Sequence, residues 1–278
     1  MDQDKLIKCA FVYDFDGTLA KGDCAQWGVM PELGIKPSDF WGEVKDRCKA
    51  DDGDEILAYL GLLAEKAKAQ GSNVLCKEEL EKYGSSIPLF PGVDSWFDRI
   101  NEYGKKHGLF IYHYIISSGL DAMIRGTKIG REFRQIYACK YHYSEDGNEP
   151  VWAAQAVNYT TKTQFLFRIN KGIDNAWDNE AINRFVEPLD REVPFERMVF
   201  FGDGDTDIPS MKMVRLQGGT SIAVFDTEKW EEKRTQEKVE KLIAEERASY
   251  VVPATYEDGS QLDVTAKGLL QLFKRRKI

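Results

Sequence analysis

The sequence predicts an α/β fold: a Rossmann-like, doubly wound parallel sheet carrying an inserted α-helical subdomain. Three observations carry this prediction. Short apolar runs rich in β-branched and aromatic residues recur along the chain, as buried strands do. Each run stops at a polar cluster of Asp, Gly, Ser or Thr. Helical periodicity lies between the runs, which is the alternation an α/β fold requires.

The first strand is expected at Lys8 to Tyr13 and ends at an Asp-Gly-Thr cluster. Others follow at Leu109 to Ile116, before Ser-Ser-Gly, at Met198 to Phe201, before Gly-Asp-Gly, and at Ser221 to Phe225, before Asp226. Val93, Trp96, Phe97 and Ile100 stand at i, i+3, i+4 and i+7, one face of a helix leading into the second strand. Residues 20–86 show helical spacing at Ile56, Leu57, Leu60 and Leu63 and no strand, so residues 21–86 are expected to be a separate helical unit. Residues 1–20 and 87–278 are then a discontinuous core. A turn signal at Glu145 to Asn148 between aromatic runs predicts a hairpin within Tyr137 to Ala156. Ile182, Phe185 and Val186 suggest a helix within Gly172 to Glu196. The charged segment from Asp226 to Arg247 reads as a solvated helix face, followed by a short strand at Tyr250 to Val252 and an amphipathic helix through Leu262, Leu269, Leu270 and Phe273.

The composition narrows the function. The 278 residues carry a formal charge of -8, so no overall positive field draws the molecule to nucleic acid or an anionic membrane, and neither is expected as a partner. No apolar run has the length of a membrane span or a signal-peptide core, which predicts a cytoplasmic protein. The five cysteines are scattered without a C-x-x-C pair and read as reduced thiols. His107, His113 and His142 show no metal-ligand spacing.

Chemistry concentrates at the polar strand ends. Asp14 and Asp16 stand at i and i+2, where ligands bind in open α/β sheets. Gly202-Asp203-Gly204-Asp205-Thr206-Asp207 supplies more carboxylates after a later strand. Ile208 stands where an EF-hand calcium loop needs Gly, and Arg215 where it needs Glu. If the two strands are neighbours, Asp14, Asp16, Asp203 and Asp207 converge. Such a cluster needs a cation, and an all-oxygen donor set suits a hard ion such as Mg²⁺. Ser117-Ser118-Gly119 and Gly17-Thr18 offer hydroxyl and backbone donors, and Lys162, beside Thr160, Thr161 and Thr163, offers a positive charge. Lys171 is the rival for that charge, and Ser118 for the hydroxyl of Ser117. Together these groups describe a cradle for phosphoryl oxygens. Arg47, with Lys45 and Lys49, is a candidate to reach substrate from the inserted helices.

These four segments, in this order, resemble the four motifs of the haloacid dehalogenase superfamily of phosphohydrolases, and the match spans Asp14 to Asp207. The resemblance implies that Asp14 is a nucleophile forming an aspartyl-phosphate, and that Asp16 protonates the leaving oxygen and then activates water. It implies Mg²⁺ held by Asp14, the carbonyl of Asp16, and Asp203, with Asp207 supporting that shell, Ser117 on a phosphoryl oxygen, and Lys162 offsetting charge. An acid at Asp16 favours phosphoester over carbon-halogen cleavage. The stretch at 21–86 resembles the cap many members insert there. Asp23 and the Tyr137 to Ala156 hairpin resemble features of the phosphoserine-phosphatase-like branch. Ser118, where that branch usually has Gly, and the extra residues between Gly172 and Glu196 depart from it.

The reading that follows is a Mg²⁺-dependent phosphomonoesterase acting on a small phosphorylated metabolite. Two alternatives stand beside it: a phosphotransferase or phosphomutase of the same superfamily, and a non-catalytic phosphate-binding or scaffold protein.

Overall fold

The computed structural model describes residues 6–204 and 206–276. Met1 to Lys5, Asp205, Lys277 and Ile278 lie outside the described residues, and with them the acidic start of the chain and the end of its basic C-terminal run. Among the described residues, seven strands form one sheet in the order β4-β3-β2-β1-β5-β6-β7. β1 (Ile7–Tyr13) lies in its middle. It pairs in parallel with β2 (Leu109–Leu120) on one side and with β5 (Met198–Gly202) on the other. β3 (Gln135–Tyr143) continues the sheet beyond β2, and β6 (Thr220–Phe225) and β7 (Tyr250–Pro253) continue it beyond β5, all in parallel. The chain thus winds outwards from β1 in both directions. The point where the direction reverses lies between β1 and β5, the crevice in which such sheets bind ligands.

Five of the seven residues of β1 are fully buried, because the strand is covered on both faces. The Tyr13 ring stacks on Phe201, with centroids 4.7 Å apart, and its hydroxyl accepts a hydrogen bond from Trp96 Nε1 at 2.9 Å. His113 is sealed beside it, 3.2 Å from the same hydroxyl, and burial lowers its pKa to about 3. It is a neutral core residue.

Between β1 and β2 the chain forms α1 (Val29–Glu32), α2 (Pro37–Asp51), α3 (Glu55–Ala69) and α4 (Lys77–Gly84) before α5 (Val93–Lys106) leads into the sheet. Proline opens α2 at a position where its missing N–H costs nothing. Asp54 caps α3 by accepting from the Ile56 and Leu57 amides, both at 2.9 Å. The expected hairpin is β3 with β4 (Pro150–Gln155), paired antiparallel. It meets the inserted helices, since Tyr141 and Tyr143 donate their hydroxyls to the carbonyls of Leu60, at 2.7 Å, and Leu75, at 3.1 Å.

α6 (Asp121–Gly126), α7 (Lys162–Lys171), α8 (Asn179–Asn183), α9 (Ile208–Leu216), α10 (Lys233–Ala244) and α11 (Gln261–Arg275) complete the helices. Two elements depart from the sequence reading. β2 does not stop at Ile116 but runs on through Ser117, Ser118 and Gly119 to Leu120, with its pairing to β3 shifted between Ile116 and Leu120. An irregular strand end carries these residues, where the pattern read a loop. Between Gly172 and Glu196 the helix α8 ends at Asn183, leaving Phe185 76% exposed. That segment is held by cations on carbonyls instead of by an apolar face. Arg168 donates to Ala176 and Asp178, and Lys171 to Ile182 and Arg184.

Candidate active site

The site is built on the register between β1 and β5. Tyr13 stands opposite Phe201, and the Asp14 amide donates to the Phe201 carbonyl at 2.8 Å, so the acidic loops that follow both strands emerge side by side. Gly17 turns the first loop with a positive φ of 72° and approaches the second so closely that a Cβ there would lie 2.8 Å from Asp203 Cγ. Gly202 packs against Asp207 in the same way, a Cβ there meeting Asp207 Oδ2 at 2.4 Å. Glycine is required at both places by steric contact. One carboxylate oxygen from each of Asp14, Asp203 and Asp207 lies within 4.8 Å of the others.

Lys162 lies beneath this cluster. Its ammonium is fully buried, 3.0 Å from Asp14 Oδ1 and 2.7 Å from Asp207 Oδ1. Burial alone lowers a lysine pKa, but Asp14 and Asp207 outweigh it and hold Lys162 protonated. Asp207 is also fully buried. Its second oxygen accepts the Asp203 amide at 3.1 Å, so both of its oxygens are engaged by protein groups. Burial first, and then Asp14, push its pKa up to about 7. The Asp14 carboxyl is raised by burial and by Asp203, against the pull of Lys162. Lys171, the rival cation, is turned towards the carbonyls of Ile182 and Arg184.

Asp16 points to the other side of the loop, where its Oδ1 accepts the Cys24 amide at 2.9 Å. Its pKa is raised well above the carboxylate range, by burial first and then by the carboxylates of Asp23 and Asp14. Asp23 caps the short helical turn Cys24–Trp27 and is itself raised by burial. Asp14, Asp16, Gly17, Asp23, Ser117, Ser118 and Asp203 all line one cavity of about 730 Å³. The Ser117 hydroxyl accepts the Gly119 amide at 3.0 Å, which leaves its proton free to donate. The Ser118 hydroxyl is buried without a protein partner, and a group of that kind calls for a ligand or water.

Three expected contacts are placed elsewhere. Arg47 does not line the cavity; it pairs with Glu43 at 3.1 Å and Glu65 at 2.8 Å, bridging α2 and α3. The Thr18 side chain is buried outside the cavity lining, and its carbonyl accepts from Tyr256. Lys162 meets the cavity only through Asp14, being fully buried behind it.

Other groups went unread in the sequence. Trp41 of α2, with Glu55 and Ile56 of α3, faces the cavity from the inserted helices, and Tyr159 joins them, donating to Glu55 at 2.7 Å. The segment read as a solvated helix face is largely exposed and also borders the cavity, through Lys229, Arg234, Lys238, Lys241 and Arg247. Lys238 lies 2.9 Å from Asp203 Oδ2. The i, i+4, i+7 spacing of Arg234, Lys238 and Lys241 was the available signal.

Against known proteins, no protein-family model matches the chain. An uncharacterized protein of Borreliella burgdorferi is 26% identical over 278 residues, covering 91% of this chain and 93% of its own. The pyridoxal phosphate phosphatase PHOSPHO2 of Bos taurus is 22% identical over 212 residues, covering 73% of this chain and 76% of its own. Among solved structures, a haloacid dehalogenase family hydrolase of Salmonella enterica serovar Typhi superposes with a TM-score of 0.55 at 14% identity, covering 95% of this chain and 72% of its own. A phosphoserine phosphatase with a phospho-aspartyl intermediate analogue superposes with a TM-score of 0.55 at 16% identity, covering 94% of this chain and 99% of its own. The chain has the haloacid dehalogenase fold. Among the described residues, no helix is long and apolar enough to cross a membrane.

Proposed function

We propose that the chain is a divalent-cation-dependent phosphomonoesterase that works through Asp14 on a small phosphorylated substrate. The observation that carries this reading is the pairing of Asp14, held on Lys162 within reach of Asp203, with Asp16, a second carboxyl of raised pKa lining the same cavity. The phosphatase neighbours support it, the phospho-aspartyl analogue above all.

The residues fit a cation. Among the described residues, the cations paired with the four carboxylates of Asp14, Asp16, Asp203 and Asp207 are Lys162, on Asp14 and Asp207, and Lys238, on Asp203, which leaves an excess of negative charge in an all-oxygen site. Asp14, Asp203 and the Asp16 carbonyl would hold the ion, with Asp207 anchoring from behind because both its oxygens are engaged. When bound, Mg²⁺ would neutralise the carboxylates and polarise a phosphoryl oxygen.

Asp14 attacks phosphorus, the bond to Asp14 forming as the bond to the leaving oxygen breaks. The leaving oxygen takes its proton from Asp16, whose raised pKa keeps that proton towards neutral pH. Asp16, now ionised, draws a proton from the water that hydrolyses the aspartyl-phosphate. Lys162 is a positioning residue that keeps Asp14 charged and aimed. Ser117 and Ser118 donate to phosphoryl oxygens. The helices at 21–86 act as a cap that keeps bulk water out through Trp41, Glu55 and Ile56.

The test is hydrolysis of an aryl phosphate by wild type and by Asp14→Asn, with Mg²⁺ and with EDTA. Activity requiring both Mg²⁺ and Asp14 is expected, and near-wild-type activity in Asp14→Asn overturns the nucleophile assignment.

A further inference from the structure

A phosphate and its cation occupy only the acidic side of the cavity, which at about 730 Å³ has the capacity of a site for a much larger ligand. A second wall, which reaches the acidic side where Lys238 meets Asp203, carries more cations than carboxylates. Arg234, Lys238 and Lys241 follow one another at i, i+4 and i+7 on α10 and line the cavity together. Lys238 is engaged by Asp203. Arg234 and Lys241 have no ion-pair partner among the described residues. The same segment lines the cavity with three carboxylates, Asp226, Glu232 and Glu237, against the five cations Lys229, Arg234, Lys238, Lys241 and Arg247, and Glu237 pairs with Lys233. Cations of one helix face, unpaired and turned into a shared cavity, concentrate positive potential where an anion can reach several donors.

We infer that the substrate carries a second anionic group, a carboxylate or a phosphate, and that the Arg234 and Lys241 face of α10 binds it while the scissile phosphate sits at Asp14. This deepens the phosphomonoesterase reading and rests on it. It assigns the selectivity for the far end of the substrate to the core helix α10.

Three substrates with one six-carbon frame test it: glucose 6-phosphate, whose far end is neutral, 6-phosphogluconate, which ends in a carboxylate, and glucose 1,6-bisphosphate, which ends in a phosphate. The readout is the ratio of kcat/KM for each doubly anionic substrate over glucose 6-phosphate, in wild type and in Arg234→Gln/Lys241→Gln. A wild-type ratio well above one, falling about tenfold in the double variant through KM, is expected for the loss of charge-assisted hydrogen bonds. The substrate with the larger ratio shows which anion the wall takes. A ratio near one in wild type, or one the double variant leaves unchanged, overturns the inference. If wild type hydrolyses neither these nor an aryl phosphate, the phosphomonoesterase reading fails on its own account. Calorimetric Kd values for the same three ligands then give the same ratio without turnover, and absence of binding or of a shift in the double variant overturns the subsite.

Discussion

The floor and the α10 wall of the cavity are made of similar numbers of charged side chains, but they are held differently. On the floor, Asp14 and Asp207 are buried and locked to Lys162, and backbone amides fix the carboxylates of Asp14, Asp16 and Asp207. On the wall, Arg234 and Lys241 are exposed and tethered only through their helix. Buried charges are costly and persist where something fixes them, whereas exposed cations are free to adapt. The difference separates chemistry, which needs positions held to fractions of an ångström, from selectivity, which tolerates motion.

The sharpest way to break this comparison is to change the floor. Asp14→Asn should lower kcat by roughly a thousandfold or more without lowering the melting temperature, since it removes a carboxylate that burial disfavours. A lower melting temperature would mean that Asp14 is structural. Lys162→Met should be worse for the fold: it leaves Asp14 and Asp207 buried without their cation, a loss of about 3–5 kcal/mol measurable by urea unfolding.

Asp23→Asn probes the floor more gently. After burial itself, Asp23 does most to raise Asp16. Removing it lowers the Asp16 pKa, so the protonated acid is lost at lower pH and the alkaline limb of kcat/KM moves down. An unmoved or upward-shifted limb would take the acid role from Asp16. Smallest of all should be Tyr159→Phe, which removes the 2.7 Å bond to Glu55 where the core meets the inserted helices. A loss of about 1 kcal/mol and a few-fold rise in KM are expected, read by thermal unfolding and steady-state kinetics. A Tyr159→Phe effect as large as that of Asp14→Asn would mean that the rim is as tightly constrained as the floor.

The same difference explains what was legible in the sequence. Asp14 and Asp16 are written two residues apart at the end of an apolar run, and Asp203 and Asp207 within one glycine-rich turn, so local pattern exposes them. Lys162 was legible as a cation, but its burial was not, because that depends on where α7 meets β1 and β5. Arg47 was misread as a substrate contact although Glu43, four residues before it, already offered a partner. The role of α10 was hidden because charged helix faces look alike until packing decides which one borders a cavity. The hairpin was visible in its turn residues, while the course of the chain from Ala176 to Arg184 was not, since its bonds run from Arg168 and Lys171 to backbone carbonyls that carry no sequence signature.

The adjacency of β1 and β5 also governs how the molecule comes into being. The two halves of the acidic floor are contributed by segments distant in the chain, at Asp14 to Asp16 and Asp203 to Asp207, so they meet only after β2, β3 and the inserted helices have been accommodated between them. Such non-local pairing gives high contact order and slow folding. A nascent chain that has emerged as far as the hairpin already holds Asp14 and Asp16, yet it has no Asp203, no Asp207 and no buried lysine bridge. The repulsion among the carboxylates is therefore deferred until β5 pairs with β1, when Lys162 is already in the chain to offset part of it.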